Sequence, residues 1–319
     1  MALAIICSGG DAPGMNPAIK KFVDYATLKG LKTYFIYDGL EGLIDNKIKE
    51  ASYKDVAGIM HLGGTIIRSS RSQRFYEYSY RQQAYKNLQK HNIDGLLVLG
   101  GDGSFRAMEK FSTEFPINFV GIPSTIDNDI YGSQYSLGVD TSLNVIRDAL
   151  DKIRDTASSF NRAFVVEVMG RECGYLAAVS AVVSGAEICV IPEIDFPKEA
   201  IEKKLQKELE NGRNYILAIV AEGTGQTAQI HSWLEATMGM ETRTTVLGHV
   251  QRGGNPTVYD RLMAFDFVMN GVDYLLENKD SNKVVVFNDG NISFVSIETV
   301  VSNHYKLPQY LLNAIHYLD

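Results

Sequence analysis

The sequence predicts an α/β protein built from two doubly wound, Rossmann-like three-layer domains, and three observations carry that prediction. Short apolar, β-prone runs alternate along the chain with stretches whose apolar residues recur at helical spacing. Two of those runs pass into glycine-rich loops that open the next helix, Ser8-Gly9-Gly10-Asp11-Ala12-Pro13-Gly14-Met15-Asn16 and Gly100-Gly101-Asp102-Gly103-Ser104. The length, 319 residues, exceeds what a single hydrophobic core usually holds.

In chain order, residues 2–7 form a first strand, the glycine loop follows, and a helix runs to about Lys29 before a second strand at 33–37. Residues 38–42 predict a loop, and a helix is expected over 54–61, ended by Gly63-Gly64. The arginine- and tyrosine-rich segment 67–80 fits no single element. Residues 81–91 read as helix and 96–99 as strand, and a helix to about Lys110 follows the second glycine loop. Residues 117–120 make a strand that turns abruptly polar. Leu143, Val145, Ile146, Leu150 and Ile153 give a helix over 142–158. Strands at 163–168, 188–191, 215–221 and 244–250 then alternate with helices at 174–183, 198–210 and 227–237. A long amphipathic helix at 259–277 and a strand at 284–287 follow. There is no low-complexity linker and no strict internal repeat.

Composition narrows the function. A hydrophobic content of 45% with charge of both signs is ordinary for a globular protein. No apolar run approaches membrane-spanning length, and residues 1–7 lead directly into a glycine loop as a strand rather than a signal peptide. Cys7, Cys173 and Cys189 are odd in number and set among apolar residues, so buried reduced thiols in a cytoplasmic protein are expected. The net charge of −7 opposes general nucleic-acid binding. A phosphorylated ligand would then require arginines gathered locally against the overall charge.

Gly121-Ile122-Pro123-Ser124-Thr125-Ile126-Asp127-Asn128-Asp129 lies at the carboxyl mouth of the 117–120 strand, where ligands of open α/β sheets sit. Asp127 and Asp129 need a partner or a purpose if buried; the same residues also suit a helix cap. The glycine loops match neither a P-loop nor the dinucleotide fingerprint, whose last glycine is replaced by Arg106. They serve either as tight turns or as phosphate cradles at helix N-termini. Asp102 among the glycines favours the cradle, since a carboxylate there can reach Mg²⁺ on phosphate oxygens. Arg106 and Arg213 read as solvated surface residues. Arg162 opens a strand, Met169-Gly170-Arg171 closes it, and Arg243 precedes Gly248-His249-Val250-Gln251-Arg252-Gly253-Gly254. Arginine at a strand end beside glycine suits a phosphate, because a guanidinium forks onto two oxygens. His249 beside Arg252 reads as a site residue ahead of a core histidine. Glu222 is either a sugar-hydroxyl acceptor or a helix cap.

Taken in order, 8–16, 100–104, Thr125-Ile126-Asp127-Asn128-Asp129, Glu167-Val168-Met169-Gly170-Arg171 and Leu247 to Gly254 resemble the bacterial ATP-dependent 6-phosphofructokinase family. The likeness covers nearly the whole chain and fades after about Asn278. Gly-Gly-Asp-Gly alone also marks lipid and NAD kinases, which leave the 169–171 and 249–254 motifs unexplained. The resemblance implies the phosphofructokinase fold, with a phosphoryl-donor domain at 1–138 plus about 251–300 and a fructose 6-phosphate domain at 139–250 plus about 301–319. It implies phosphoryl transfer from MgATP to the 1-hydroxyl of fructose 6-phosphate in glycolysis, with Mg²⁺ as cofactor and ATP as co-substrate. By the family pattern Asp127 is the general base, Thr125 lies beside the transferring group, and Asp102 and Asp129 hold Mg²⁺. Gly10, Ser72, Gly103 and Ser104 belong to the donor site, and Arg71 reaches the transferred group. Met169, Gly170, Arg171, Glu222, His249 and Arg252 match the sugar-phosphate site, Arg171 also being one of the catalytic set. Arg162 and Arg243 match residues supplied by a neighbouring subunit, which implies a homotetramer with shared active sites.

The chain also departs from the pattern. Ser124 stands where ATP-dependent members usually carry glycine and pyrophosphate-dependent ones lysine, and Gly103 stands where the latter place aspartate; both favour ATP. Ser72-Gln73-Arg74-Phe75 replaces an aromatic-Pro-Glu-Phe run, Leu40 a tyrosine, and Ala107 falls near an adenine-contacting glycine. An altered nucleotide preference is expected. Lys20, Arg154, Glu187 and Arg213 keep the effector-site charge, whereas Asp24, Tyr53, Gly58 and Asn214 replace basic or metal-binding residues. Blunted regulation by ADP or phosphoenolpyruvate follows. The alternative is a sugar-phosphate-binding relative with another donor, pyrophosphate included, or weak catalysis.

Overall fold

A computed structural model describes residues 1–279 and 282–318. Among these residues the strands are β1 (Ala2–Cys7), β2 (Lys32–Ile36), β3 (Ile48–Glu50), β4 (Gly95–Gly100), β5 (Phe119–Pro123), β6 (Ala163–Val168), β7 (Ile188–Val190), β8 (Ile216–Ala221), β9 (Thr242–Val246), β10 (Lys283–Asn288) and β11 (Asn291–Ser296). The chain forms two compact units, Met1–Thr141 with Arg252–Tyr305, and Ser142–Gln251 with Lys306–Asp319.

In the first unit the sheet order is β11-β10-β5-β4-β1-β2-β3. The strands from β10 to β2 pair parallel, while β11 and β3 close the edges antiparallel. From β1 the chain steps outward to β2, and from β4 it steps the other way to β5. The boundary between β1 and β4 is therefore a topological switch point, and both glycine loops leave from its carboxyl side. β1 and β4 are buried along their whole length, which is why they read as unbroken apolar runs rather than alternations. Phe105, Met108 and Phe111, from the helix Asp102–Glu114, pack with Val98, Phe119 and Val284 on one face.

The second unit holds a parallel sheet in the order β7-β8-β6-β9. β6 sits between β8 and β9, so the loops after these three strands meet at a second switch point. Val165, Val190 and Val220 pack with Ile201 and Leu205 of the helix Lys198–Glu210 and with Ile230 and Leu234 of Thr227–Met238.

Several local expectations fail for identifiable reasons. Residues 38–42 are not a loop but open a short helix, Gly39–Ile44. Its glycines serve close packing: a Cβ on Gly42 would lie 1.6 Å from the Tyr37 carbonyl oxygen. The helix expected over 54–61 is one 3₁₀ turn, Tyr53–Val56, closed by a Ser52–Asp55 capping box, after which Gly58 takes φ +73°. The strand expected at 244–250 ends at Val246, and residues 248–252 form a 3₁₀ turn instead. All three cysteines are buried. Among the described residues no helix is long and apolar enough to cross a membrane.

Candidate active site

In the first unit the loop after β1 is shaped by Gly9 (φ +86°) and Gly14 (φ +100°), conformations that favour glycine. Ser69 donates its hydroxyl to the Gly9 carbonyl at 2.6 Å, and the Gly9 amide donates to the Ser70 carbonyl at 3.3 Å. Segment 69–70 thus runs along the loop and delivers the exposed Arg71 beside it. Asn16 is buried and spent on structure, donating to the Leu62 and Gly63 carbonyls and accepting from the Ile66 amide. The second glycine loop packs on the first, with Ser104 Oγ 3.2 Å from where a Gly9 Cβ would stand. Arg252 lies across Gly10: a Cβ there would sit 2.6 Å from its Nη1, which donates to the Asp11 carbonyl at 3.2 Å. The neighbouring glycines are explained by close approach, since a Cβ on Gly63 would lie 2.4 Å from the Gly254 carbonyl oxygen. Gly103 is different. It has open space around it and no positive φ, so nothing in the protein requires glycine there.

After β5 the loop alternates. Ile126, Asn128 and Ile130 are buried, and Thr125, Asp127 and Asp129 between them are half-buried. Asn128 adopts φ +53° and donates its amide to the Gln134 carbonyl at 3.0 Å. The Thr125 amide donates to Ser136 Oγ at 2.8 Å, and the Asp127 amide to Thr125 Oγ1 at 3.3 Å. These bonds tie the loop down at Thr125, Asp127 and Asn128. The next helix, Val139–Phe160, begins well beyond them, so they do not cap it. Ser124 is 1% exposed and donates its hydroxyl to the Ile122 carbonyl, so it behaves as a small buried residue rather than a ligand.

Asp102 is the first residue of its helix and pairs with Arg106 at 2.7 Å, while Arg106 also donates to the Val301 carbonyl at 2.9 Å. Arg106 is thus an exposed residue that pairs with Asp102 one turn back on the same helix. Ser72 donates to Glu41 and accepts from the Phe75 amide, and Arg74 bridges Glu41 and Asp45. Arg74 holds the Glu41 carboxyl below its ordinary range. The altered run 72–75 therefore closes a clamp behind Arg71, with the Ser72 hydroxyl occupied by it. Leu40 is buried and Ala107 half-buried.

In the second unit the loop after β6 nests into the turn after β8. The Gly223 amide donates to the Gly170 carbonyl at 3.0 Å, and a Cβ on Gly223 would lie 1.8 Å from the Arg171 carbonyl oxygen. This brings Met169, Gly170 and Arg171 together with Glu222, Arg171 and Glu222 being exposed. The N-cap of the helix Thr227–Met238 is Gln226, so Glu222 does not cap it. Gln251, fully buried, was not singled out by the motif reading. It accepts from the Met169 amide at 3.0 Å and donates to the Gly248 carbonyl at 3.0 Å, fastening the turn that carries the exposed His249.

Arg162 and Arg243 are not with them. They lie at the amino ends of β6 and β9, six residues of strand or about 20 Å from the loop after β6. There both pair with Glu241, and Arg162 holds that carboxyl below its ordinary range. Arg213 is no isolated surface cation either: it pairs with Glu187 and with Glu208. Glu187 is 5% exposed and accepts from the Leu217 amide, and burial pushes its carboxyl up. Asp24 pairs with Lys20 at 2.9 Å and offsets its charge.

Residues 2–275 match the family model described as Phosphofructokinase. The chain is 58% identical to the ATP-dependent 6-phosphofructokinase of Sulfurovum sp. over 97% of its own length and 95% of the relative's. It is 53% identical to that of Wolinella succinogenes, over 97% and 96%. Its fold superposes on the crystal structure of Pichia pastoris phosphofructokinase in the T-state with a TM-score of 0.90 at 34% identity, covering all of this chain and 36% of that one. A likeness of this strength, over motifs that both switch points present, makes the chain a member of the phosphofructokinase family.

Proposed function

We propose that the protein transfers the γ-phosphoryl group of ATP to the 1-hydroxyl of fructose 6-phosphate, giving fructose 1,6-bisphosphate and ADP. One observation carries the reading: the loop after β5 leaves Thr125, Asp127 and Asp129 half-buried between buried neighbours, in the unit whose switch point carries both glycine loops. Asp127 takes the proton of the 1-hydroxyl as that oxygen bonds to the γ-phosphorus and the bond to the ADP oxygen breaks. Thr125 lies beside the transferring group. Arg71 and Arg171 offset the charge on its equatorial oxygens.

Gly10, Gly103 and Ser104 line the donor phosphates, and the open space at Gly103 supports this, since ligand approach accounts for a glycine the protein itself does not need. Met169, Gly170, Glu222, His249 and Arg252 orient the sugar phosphate. Asp102 and Asp129 hold Mg²⁺, which when bound neutralises phosphate charge. The donor set fits that ion. Mg²⁺ usually takes one or two carboxylates and completes its shell with phosphates and water. Arg162 and Arg243 serve a neighbouring copy in a homotetramer, which their place at the amino ends of the second sheet supports. The setting is the cytoplasm.

A coupled assay on purified protein with fructose 6-phosphate and ATP, GTP or pyrophosphate tests this. Turnover with a nucleotide triphosphate and none with pyrophosphate is expected. No turnover with any donor would favour a sugar-phosphate-binding protein.

A further inference from the structure

Asp260 is fully buried, yet its carboxylate is ringed by donors, every one of them 119 or more residues away in sequence. Oδ1 accepts from the Tyr135 hydroxyl at 2.6 Å and from the Gly138 amide at 2.6 Å. Oδ2 accepts from the Thr141 amide at 2.9 Å and from the Thr141 hydroxyl at 2.5 Å. Thr141 Oγ1 in turn accepts from the Thr257 amide, and Thr257 Oγ1 from the Asp260 amide, closing the ring.

The segment that Asp260 grips, residues 135–141, is the one that steers the Asp127 loop. Within it or just before it, Ser136 Oγ accepts from the Thr125 amide, the Gln134 carbonyl accepts from Asn128, and the Leu137 amide donates to the Pro123 carbonyl. The same grip reaches the first glycine loop. A Cβ on Gly138 would lie 2.8 Å from the Ala12 Cβ, and one on Gly14 would touch Leu137 and Asp260.

Resting on the activity proposed above, we infer that Asp260 is a positioning residue for phosphoryl transfer, fixing the Asp127 loop and the first glycine loop in one register without touching substrate. A buried carboxylate with four donors is costly to desolvate and rigid once satisfied, which suits a group that sets geometry. Burial pushes its carboxyl up while the donors pull it down. Asp260→Asn keeps the shape but turns an NH₂ toward at least one donor, and Tyr135→Phe removes a single bond without opening a cavity.

Both variants are compared with wild type for kcat, for KM of each substrate, and for amide hydrogen exchange over residues 123–138. For Asp260→Asn we expect kcat to fall about tenfold or more with each KM moving less than about threefold, because a small misplacement acts on the transition state. Tyr135→Phe should show a smaller fall of the same kind. Faster exchange over 123–138 should accompany both. A lowered Tm with kcat and exchange unchanged would overturn the inference, as would a loss confined to KM. The exchange measurement needs no turnover, so it decides the positioning even if the wild-type protein proves inactive on fructose 6-phosphate. Should Asp260→Asn not fold, Tyr135→Phe carries the test.

Discussion

Replacing Gly10 with alanine isolates one contact of the site. No positive φ is imposed at Gly10, so alanine fits the backbone, unlike at Gly9 with φ +86°. The added methyl would stand 2.6 Å from Arg252 Nη1, against the 3.4 Å at which ordinary contact begins, so the guanidinium must withdraw by about 0.8 Å. That movement breaks the 3.2 Å bond from Nη1 to the Asp11 carbonyl. The guanidinium is thereby moved from where it meets the sugar phosphate; a hydrogen bond to a charged group contributes about 1.5–3 kcal/mol, and about 1.4 kcal/mol is a factor of ten, so loss of that ligand contact should lower kcat/KM for fructose 6-phosphate roughly 10- to 100-fold. The yielding atom is the end of a flexible side chain, so thermal stability should hardly change. Steady-state kinetics with each substrate varied in turn reads the effect. Because Gly10 also faces the donor in our account, Gly10→Ala is repeated on an Arg252→Ala background, where it should add little further loss if the effect passes through Arg252. Full additivity in that cycle, or an unchanged kcat/KM in the single variant, would refute the argument.

Two further outcomes are expected. Asp127→Asn and Arg243→Ala subunits, each nearly inactive alone, should regain activity when mixed oligomers form, because both defects then fall on the same sites and spare others; no recovery would mean that Arg243 does not serve a neighbour. Glu41 gives a pH test. Its folded value is depressed by Arg74, so its stabilising contribution is full above the ordinary value of 4.5 and is lost as pH falls through the depressed one. Glu41→Gln should therefore lower Tm at pH 7 by an amount equivalent to about 1 kcal/mol or less, and the gap should close in acid. A gap that persists unchanged to pH 3 (roughly one unit below the free carboxyl's range) would show that the clamp is not ionic.

The parts legible in the sequence were those whose signal is local. β1, β4 and β8 are buried on both faces and announce themselves as apolar runs. The segment from Thr125 to Ile130 was readable as a sharp polar turn, although not which of its residues would be buried. What stayed hidden depends on distant partners. Asp260 looks like an ordinary acid in the first turn of the helix Val258–Glu277, and only Tyr135, Gly138 and Thr141 turn it into a buried hinge pin. Gln251 is likewise unremarked until Met169 and Gly248 close on it. The short helix Gly39–Ile44 spans too few residues for a period, and its glycines look like loop residues. The edge strand β11 is half-exposed and pairs antiparallel with β10, and its apolar residues, Ile292, Phe294 and Val295, span too short a run to declare a strand.

The most direct trial of the account is the rate of fructose 6-phosphate phosphorylation by the Asp127→Asn protein. If Asp127 accepts the proton of the sugar hydroxyl, kcat should drop about 10²- to 10⁴-fold while KM for the sugar phosphate stays within a few-fold. A kcat close to wild type, or a loss expressed only as weaker sugar binding, would contradict it.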